Sequence, residues 1–67
     1  MNYLQGFEKP KFDIRQVVII SGTYTGHGDV TAYIKAVTWS KLLGAFFYDL
    51  VDGDGNTYYC NQKFLSA

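Results

Sequence analysis

Gly22-Thr-Tyr-Thr-Gly26-His-Gly28-Asp-Val30 sits between Val17-Val18-Ile19-Ile20 and Val30-Thr-Ala-Tyr-Ile-Lys-Ala-Val37. β-Branched residues are frequent in both flanks, and such residues fit a pleated, half-buried strand. Three glycines within seven positions separate the two runs. Glycine reaches backbone conformations closed to other residues, so the stretch describes a chain turning back on itself between strands. A strand, a glycine loop and a strand in so short a chain point to a small β-barrel rather than to catalytic machinery.

Outward from that loop the strand signals continue. Phe12 to Ile20 reads as the first strand, with Phe12, Ile14, Gln16, Val18 and Ile20 facing inward and Val17 and Ile19 needing cover on the other face. Val30 to Val37 alternates more cleanly: Val30, Ala32, Ile34 and Ala36 face in, while Thr31, Tyr33 and Lys35 face out. Trp39-Ser-Lys-Leu-Leu-Gly44 breaks the pattern and reads as an exposed connection or a single helical turn. Ala45 to Val51 is the third strand and Asn56 to Cys60 the fourth. Asp52-Gly-Asp-Gly55 joins them as a hairpin turn, since Asp-Gly pairs accept the positive φ such turns require. Asn61 to Leu65 reads as a short 3₁₀ turn leading to a final β-bridge. Met1 to Lys11, which holds the single proline, is an irregular lead-in, so residues 1–11 precede a barrel of residues 12–67.

The chain has 67 residues and one cysteine, so an intramolecular disulfide is excluded. A domain of this size buries only about 60% of the surface its unfolded chain exposes, and its core must draw on twelve aromatic residues, 18% of the chain. Six Lys/Arg balance six Asp/Glu, which argues against a protein devoted to gripping duplex phosphates. The signs are unevenly spread: Lys9, Lys11 and Arg15 lie early, whereas Asp49, Asp52 and Asp54 cluster later. No secretory signal or membrane-length apolar run is visible, and a lone thiol suits a reducing compartment, so the expected setting is cytoplasmic, with no membrane partner.

An all-β chain with five short strands, a glycine-rich first loop, one tight hairpin and a 3₁₀ turn near the C-terminus matches a five-stranded SH3-like barrel. An OB-type barrel normally needs a longer chain and a helix between strands three and four. Phe12-x-Ile14-x-x-x-Val18-x-Ile20, Gly22-x-x-x-Gly26-x-Gly28-x-Val30 and Tyr58-Tyr-Cys-Asn-Gln-Lys-Phe-Leu65 together resemble the small SH3-like barrels of the KOW and Tudor type. They are also similar to short SH3-like proteins of bacteriophages and bacteria. Two departures stand out. The interval between Gly26 and Gly28 is one residue shorter than the usual KOW spacing, and Arg15-Gln16 stands where these barrels often have Gly-Asp. The resemblance implies binding of RNA, of ribosomal or transcription proteins, or of methylated tails, and fold alone does not choose among these.

Motifs with chemical overtones read better as structure. Asp52-Gly-Asp54-Gly-Asn56 mimics the start of a calcium loop, yet Thr57 and Lys63 occupy the positions that need glycine and a bidentate acid. The glycine loop lacks the lysine and following helix of a phosphate cradle. His27, the sole histidine, has no titratable partner implied by spacing, and Cys60 reads as a buried apolar residue. No cofactor, metal or catalytic residue is implied. The expected function is therefore a non-enzymatic protein-interaction module, possessing candidate contacts at Trp39, Leu42, Leu43, Tyr24 and His27. The alternative is a KOW-like RNA- or single-strand-binding barrel, with Lys9, Lys11, Arg15 and Lys35 on phosphates and Tyr33 beside Tyr24 stacking on bases. A third reading is homo-oligomerisation through an exposed strand edge.

Overall fold

Five antiparallel strands form one curled sheet in a computed structural model that describes residues 9–67. The strands are β1 Val17–Ile20, β2 Val30–Ser40, β3 Ala45–Asp52, β4 Thr57–Asn61 and β5 Leu65–Ser66, in spatial order β4-β3-β2-β1-β5. Four strands therefore meander in sequence. The fifth returns to pair with β1 through Ile20↔Leu65 and Ile19↔Ser66, after a 3₁₀ turn at Gln62–Phe64. The all-β, five-stranded reading and the terminal 3₁₀ turn hold.

The curl encloses Phe12, Val18, Ile20, Ala32, Ile34, Tyr48, Leu50, Cys60 and Leu65, all buried. Tyr48 is fully buried, and its hydroxyl organises the mouth of the curl. It donates to Gln62 Oε1 and accepts the Phe12 N–H at 3.3 Å, while the Lys11 N–H also donates to Gln62 Oε1 at 2.9 Å. The segment before β1 and the 3₁₀ turn are thus tied together across the core. The Phe12 ring meets Tyr48 edge-on, with centroids 6.0 Å apart.

Three details differ from the alternation read in the sequence. The first strand begins at Val17, not Phe12, because Asp13 to Gln16 form a turn in which the Gln16 N–H donates to the Asp13 carbonyl. Arg15 adopts φ 75° there, and Ile14 is left 56% exposed instead of facing inward. In β2 the register slips between Ile34 and Ala36, placing a bulge at Lys35. A bulge inserts one residue and reverses which side chains face the core. Ala36 consequently leaves the inner face, and Val37 packs against the core in its place. Val17 remains 61% exposed, and Ile19 lies on the same outer face.

The glycine loop contains a single helical turn, Gly22–Thr25, that the sequence reading did not foresee. Ser21 Oγ caps it by accepting the Thr23 N–H, and Gly26 ends it at φ 84°. The loop closes on itself: Asp29 Oδ1 accepts the Gly22 N–H at 2.7 Å, and Thr25 Oγ1 donates to the Gly28 carbonyl at 2.6 Å. A side chain at Gly22 would lie 2.9 Å from the Gly28 backbone, so this neck admits only glycine without rearrangement.

At the far hairpin Asp52 is the organiser. Its Oδ1 accepts the Asp54 and Asn56 N–H groups, each at 2.9 Å, and its Oδ2 accepts from Asn56 Nδ2 and the Tyr58 hydroxyl. Desolvation pushes this carboxyl upward, but the donors outweigh it and hold it below the ordinary aspartate value. The oxygens that a calcium loop would aim at an ion are here aimed at the turn.

Two outcomes follow from this architecture. Burial raises the Tyr48 phenol above its ordinary value against the opposing hydrogen bonds of the Phe12 and Lys11 backbone. The folded state therefore favours the neutral phenol. Its stabilising contribution is whole below the unfolded value near pH ~10 and is lost as pH rises through the folded value. Tyr48→Phe should cost about 1–2 kcal/mol in urea unfolding at neutral pH, through the orphaned Phe12 N–H and the loss of one of the two donors to Gln62 Oε1. It should also flatten the alkaline decline of stability; an unchanged alkaline limb would show that Tyr48 does not govern it. Conversely, Arg15→Gly should stabilise the protein by about 0.5–1 kcal/mol, since the left-handed backbone strains a residue with a Cβ by more than glycine's added chain entropy costs. A fall in the unfolding midpoint would contradict this.

Candidate functional site

The β2–β3 hairpin ends in an exposed turn at residues 41–44, closed by the Gly44 N–H on the Ser40 carbonyl at 2.8 Å and the Leu43 N–H on Ser40 Oγ at 3.2 Å. Leu42 is 92% exposed and Leu43 64%. Trp39, placed in the connection by the sequence reading, is instead a residue of β2. It stands directly opposite Phe46 and meets that ring edge-on at 4.8 Å. The bulge at Lys35 is the reason: it brings Trp39 to the same side as Val37 and Phe46, both of which pack against the core. Trp39 is half-buried against the Phe46 ring, which itself packs on the core.

Beside it runs a groove of ≈ 220 Å³ between the hairpin and the 3₁₀ turn. Trp39 and Phe46 line one part, Asn61, Gln62 and Lys63 another, and Lys11 a third. The groove depends on the 3₁₀ turn, which Asn61 caps by accepting the Lys63 N–H on its side chain at 2.9 Å. Lys63 Nζ lies 5.3 Å from the Phe64 ring centroid, and Lys11 Nζ lies 5.9 Å from that of Phe12. Lys63, Gln62, Asn61 and Phe46 were not among the candidates read from sequence. The only local signal for them was the Asn-x-Lys capping pattern at the start of the turn.

Tyr24 and His27 do not join this group. The 3₁₀ turn stands between: its Phe64 packs on Tyr24 with ring centroids 5.2 Å apart, while Gln62 and Lys63 line the groove. The Tyr24 hydroxyl donates to the Tyr59 carbonyl of β4, an edge strand. Tyr24 therefore fastens the glycine loop to the edge of the sheet, with 39% of its surface exposed. His27 is exposed at the loop tip, its N–H donating to Thr25 Oγ1 at 3.2 Å.

The cations considered for nucleic acid are dispersed. Lys11 belongs to the Trp39 groove, whereas Lys35 lines a separate one of ≈ 390 Å³ with Asp49, Thr57 and Tyr59. Arg15 donates its backbone N–H to the Ile34 carbonyl at 2.7 Å, and Lys9 is exposed in the lead-in. Tyr33 is 43% exposed on the outer face, opposite Val17 on one side and Val51 on the other. Tyr59, also outward, stacks on Phe47 at 5.4 Å and 16°. The sequence offers Tyr3, Leu4 and Phe7 as residues that tack the lead-in onto the barrel, and these lie outside the described residues.

Cys60 is buried in the core, where desolvation pushes its thiol up to about 11. Among the described residues no group of three or more His, Cys, Asp and Glu side chains is placed to hold a metal ion, and no helix is long and apolar enough to cross a membrane. Comparison with known proteins returns no matching family model, no matching curated protein and no matching solved structure.

The Cys60 environment has a measurable consequence. At pH 8 a thiol-specific reagent should label the folded protein at least about a hundredfold more slowly than the urea-unfolded chain, because the thiolate is scarce and enclosed. Labelling of the folded protein at the unfolded rate would mean that Cys60 is accessible.

Proposed function

We propose that this chain is a non-enzymatic protein-interaction module whose docking end is the β2–β3 turn and the groove beside Trp39. The observation that carries this reading is the pair Leu42 and Leu43, exposed side by side next to a half-buried tryptophan. Adjacent exposed leucines on a small domain are costly to leave in water, and tryptophan is the residue type most enriched in interface hot spots. The side chains best suited to chemistry serve the fold instead: Cys60 fills the core, Tyr48 ties the mouth of the curl and Asp52 holds the hairpin. A cytoplasmic setting belongs to the same reading, on the single thiol. So does a phage-encoded accessory role, on the resemblance of the sequence to short SH3-like proteins of bacteriophages and bacteria.

Self-association through a strand edge has less support. The Tyr24 hydroxyl occupies a carbonyl of the β4 edge, and β5 offers only two residues. RNA binding is the second reading, but its cations divide between two grooves, and the larger of these also holds Asp49.

A Leu42→Asp/Leu43→Asp variant tests the module. Both positions are solvent-exposed, so its unfolding midpoint should stay close to that of the unmodified protein. Nuclease-treated lysate passed over the tagged protein should yield a discrete partner that the variant fails to retain. Equal retention by both would remove the β2–β3 turn from the interface.

A further inference from the structure

We infer that the groove beside Trp39 receives an extended acidic segment of a partner protein, with an apolar side chain seated against the indole. This rests on the module reading and names the chemistry of the partner. Charge is the first argument. Surface depressions among the described residues include the Lys35 groove, which holds Asp49, and a shallow one under Tyr33, which holds Asp52. The Trp39 groove instead carries Lys11 and Lys63, and none of its lining residues is acidic. Lys41 adds a third cation in the adjoining turn. The acids Asp52 and Asp54 sit at the opposite end of β3, about 23 Å away along an extended strand. Asp13 also acts on the Tyr48 hydroxyl near this end, where Lys11, Lys41 and Lys63 outnumber it, so among the described residues this end of the neutral chain is the positive one.

Shape and hydrogen bonding agree. A volume of ≈ 220 Å³ is below the roughly 300–1,000 Å³ of sites that enclose small molecules, and suits one or two side chains of a chain passing across it. Gln62 Oε1 already accepts from the Lys11 N–H and the Tyr48 hydroxyl. That fixes the amide so that its nitrogen is the donor side, suited to a backbone carbonyl or a carboxylate. Leu42 and Leu43 extend the apolar surface past the rim. The aliphatic pair Leu42 and Leu43 next to the Trp39 and Phe46 rings adds apolar surface that a protein side chain covers and on which a base does not stack.

Trp39 is the single tryptophan, so its fluorescence reports on the groove directly. The full chain is titrated with a synthetic peptide in which glutamates flank a leucine–tyrosine pair, with its glutamine analogue, with its lysine analogue, and with oligouridylate. The acidic peptide should produce a saturable change in emission that weakens as salt rises. Replacing its glutamates by glutamine, or combining Lys11→Gln with Lys63→Gln in the protein, should each reduce affinity by about tenfold. Equal binding of the glutamine or lysine analogue overturns the acidic assignment while leaving the docking end in place. A response to oligouridylate alone overturns both the acidic assignment and the module reading. Silence towards every peptide overturns the acidic assignment, and the Leu42/Leu43 capture experiment then decides the module independently.

Discussion

The Tyr48 hydroxyl is the constraint on which the rest of this small domain depends. A curled sheet of five strands leaves an open mouth, and among the described residues the single helical turn Gly22–Thr25 is too short to cover it. Here the mouth is crossed by two irregular pieces, the Lys11–Phe12 segment and the 3₁₀ turn at Gln62–Phe64. Irregular backbone brings polar groups into the interior, and each needs a partner. Tyr48 and the Gln62 amide supply those partners together, accepting the Phe12 and Lys11 N–H groups. The same arrangement sets the walls of the groove beside Trp39, because Lys11 and Gln62 belong to both. The stability of the curled sheet and the shape of its candidate docking end are therefore one physical problem.

Two local irregularities convert a plain meander into this shape. The left-handed turn at Arg15 delays the start of β1 and turns Ile14 outward. The bulge at Lys35 bends β2 just beyond Ala32 and Tyr33, which pair with both β1 and β3, and the rest of the strand beyond them runs with β3 alone. The two devices meet at Ile34, whose carbonyl accepts the Arg15 N–H and whose own N–H donates to the Gln16 carbonyl. A strand that must serve two neighbours at a bend commonly carries such a bulge, since the inserted residue increases the local twist.

The candidate docking end gains its character from segregation. The hairpin with Asp52 and Asp54 lies at one end of β3, and the lysine-flanked groove at the other. A neutral chain can therefore present a positive face and a negative one, and net charge alone is a weak guide to the sign of its partner. Tyr24 has an opposite lesson: an aromatic ring in a glycine loop resembles a contact residue, but its hydroxyl fastens that loop to β4.

Local chemistry made much of the fold legible. The β-branched cores of the strands, the Asp-Gly hairpin, the glycine loop and the terminal 3₁₀ turn each act over a few neighbouring residues, and each appears in the order read from the sequence, although β1 starts later and β2 ends later than read. The burial of Cys60 was legible for the same reason, whereas the sequence left Leu42 and Leu43 equally open to a lid over the core and to an exposed patch, and the structure exposes both. The inner or outer side of Ala36, Trp39 and Ile14 was not, because one inserted residue reverses strand parity and neither the Lys35 bulge nor the Arg15 turn carries a glycine to announce it. Nor was the groove, whose walls come from residues some fifty positions apart in the chain. Sequence by itself determined the strands and their turns, which arise from short-range backbone preference. Only the tertiary structure decided that Lys11, Trp39 and Lys63 share one surface, because that depends on where the two crossing segments close the curl.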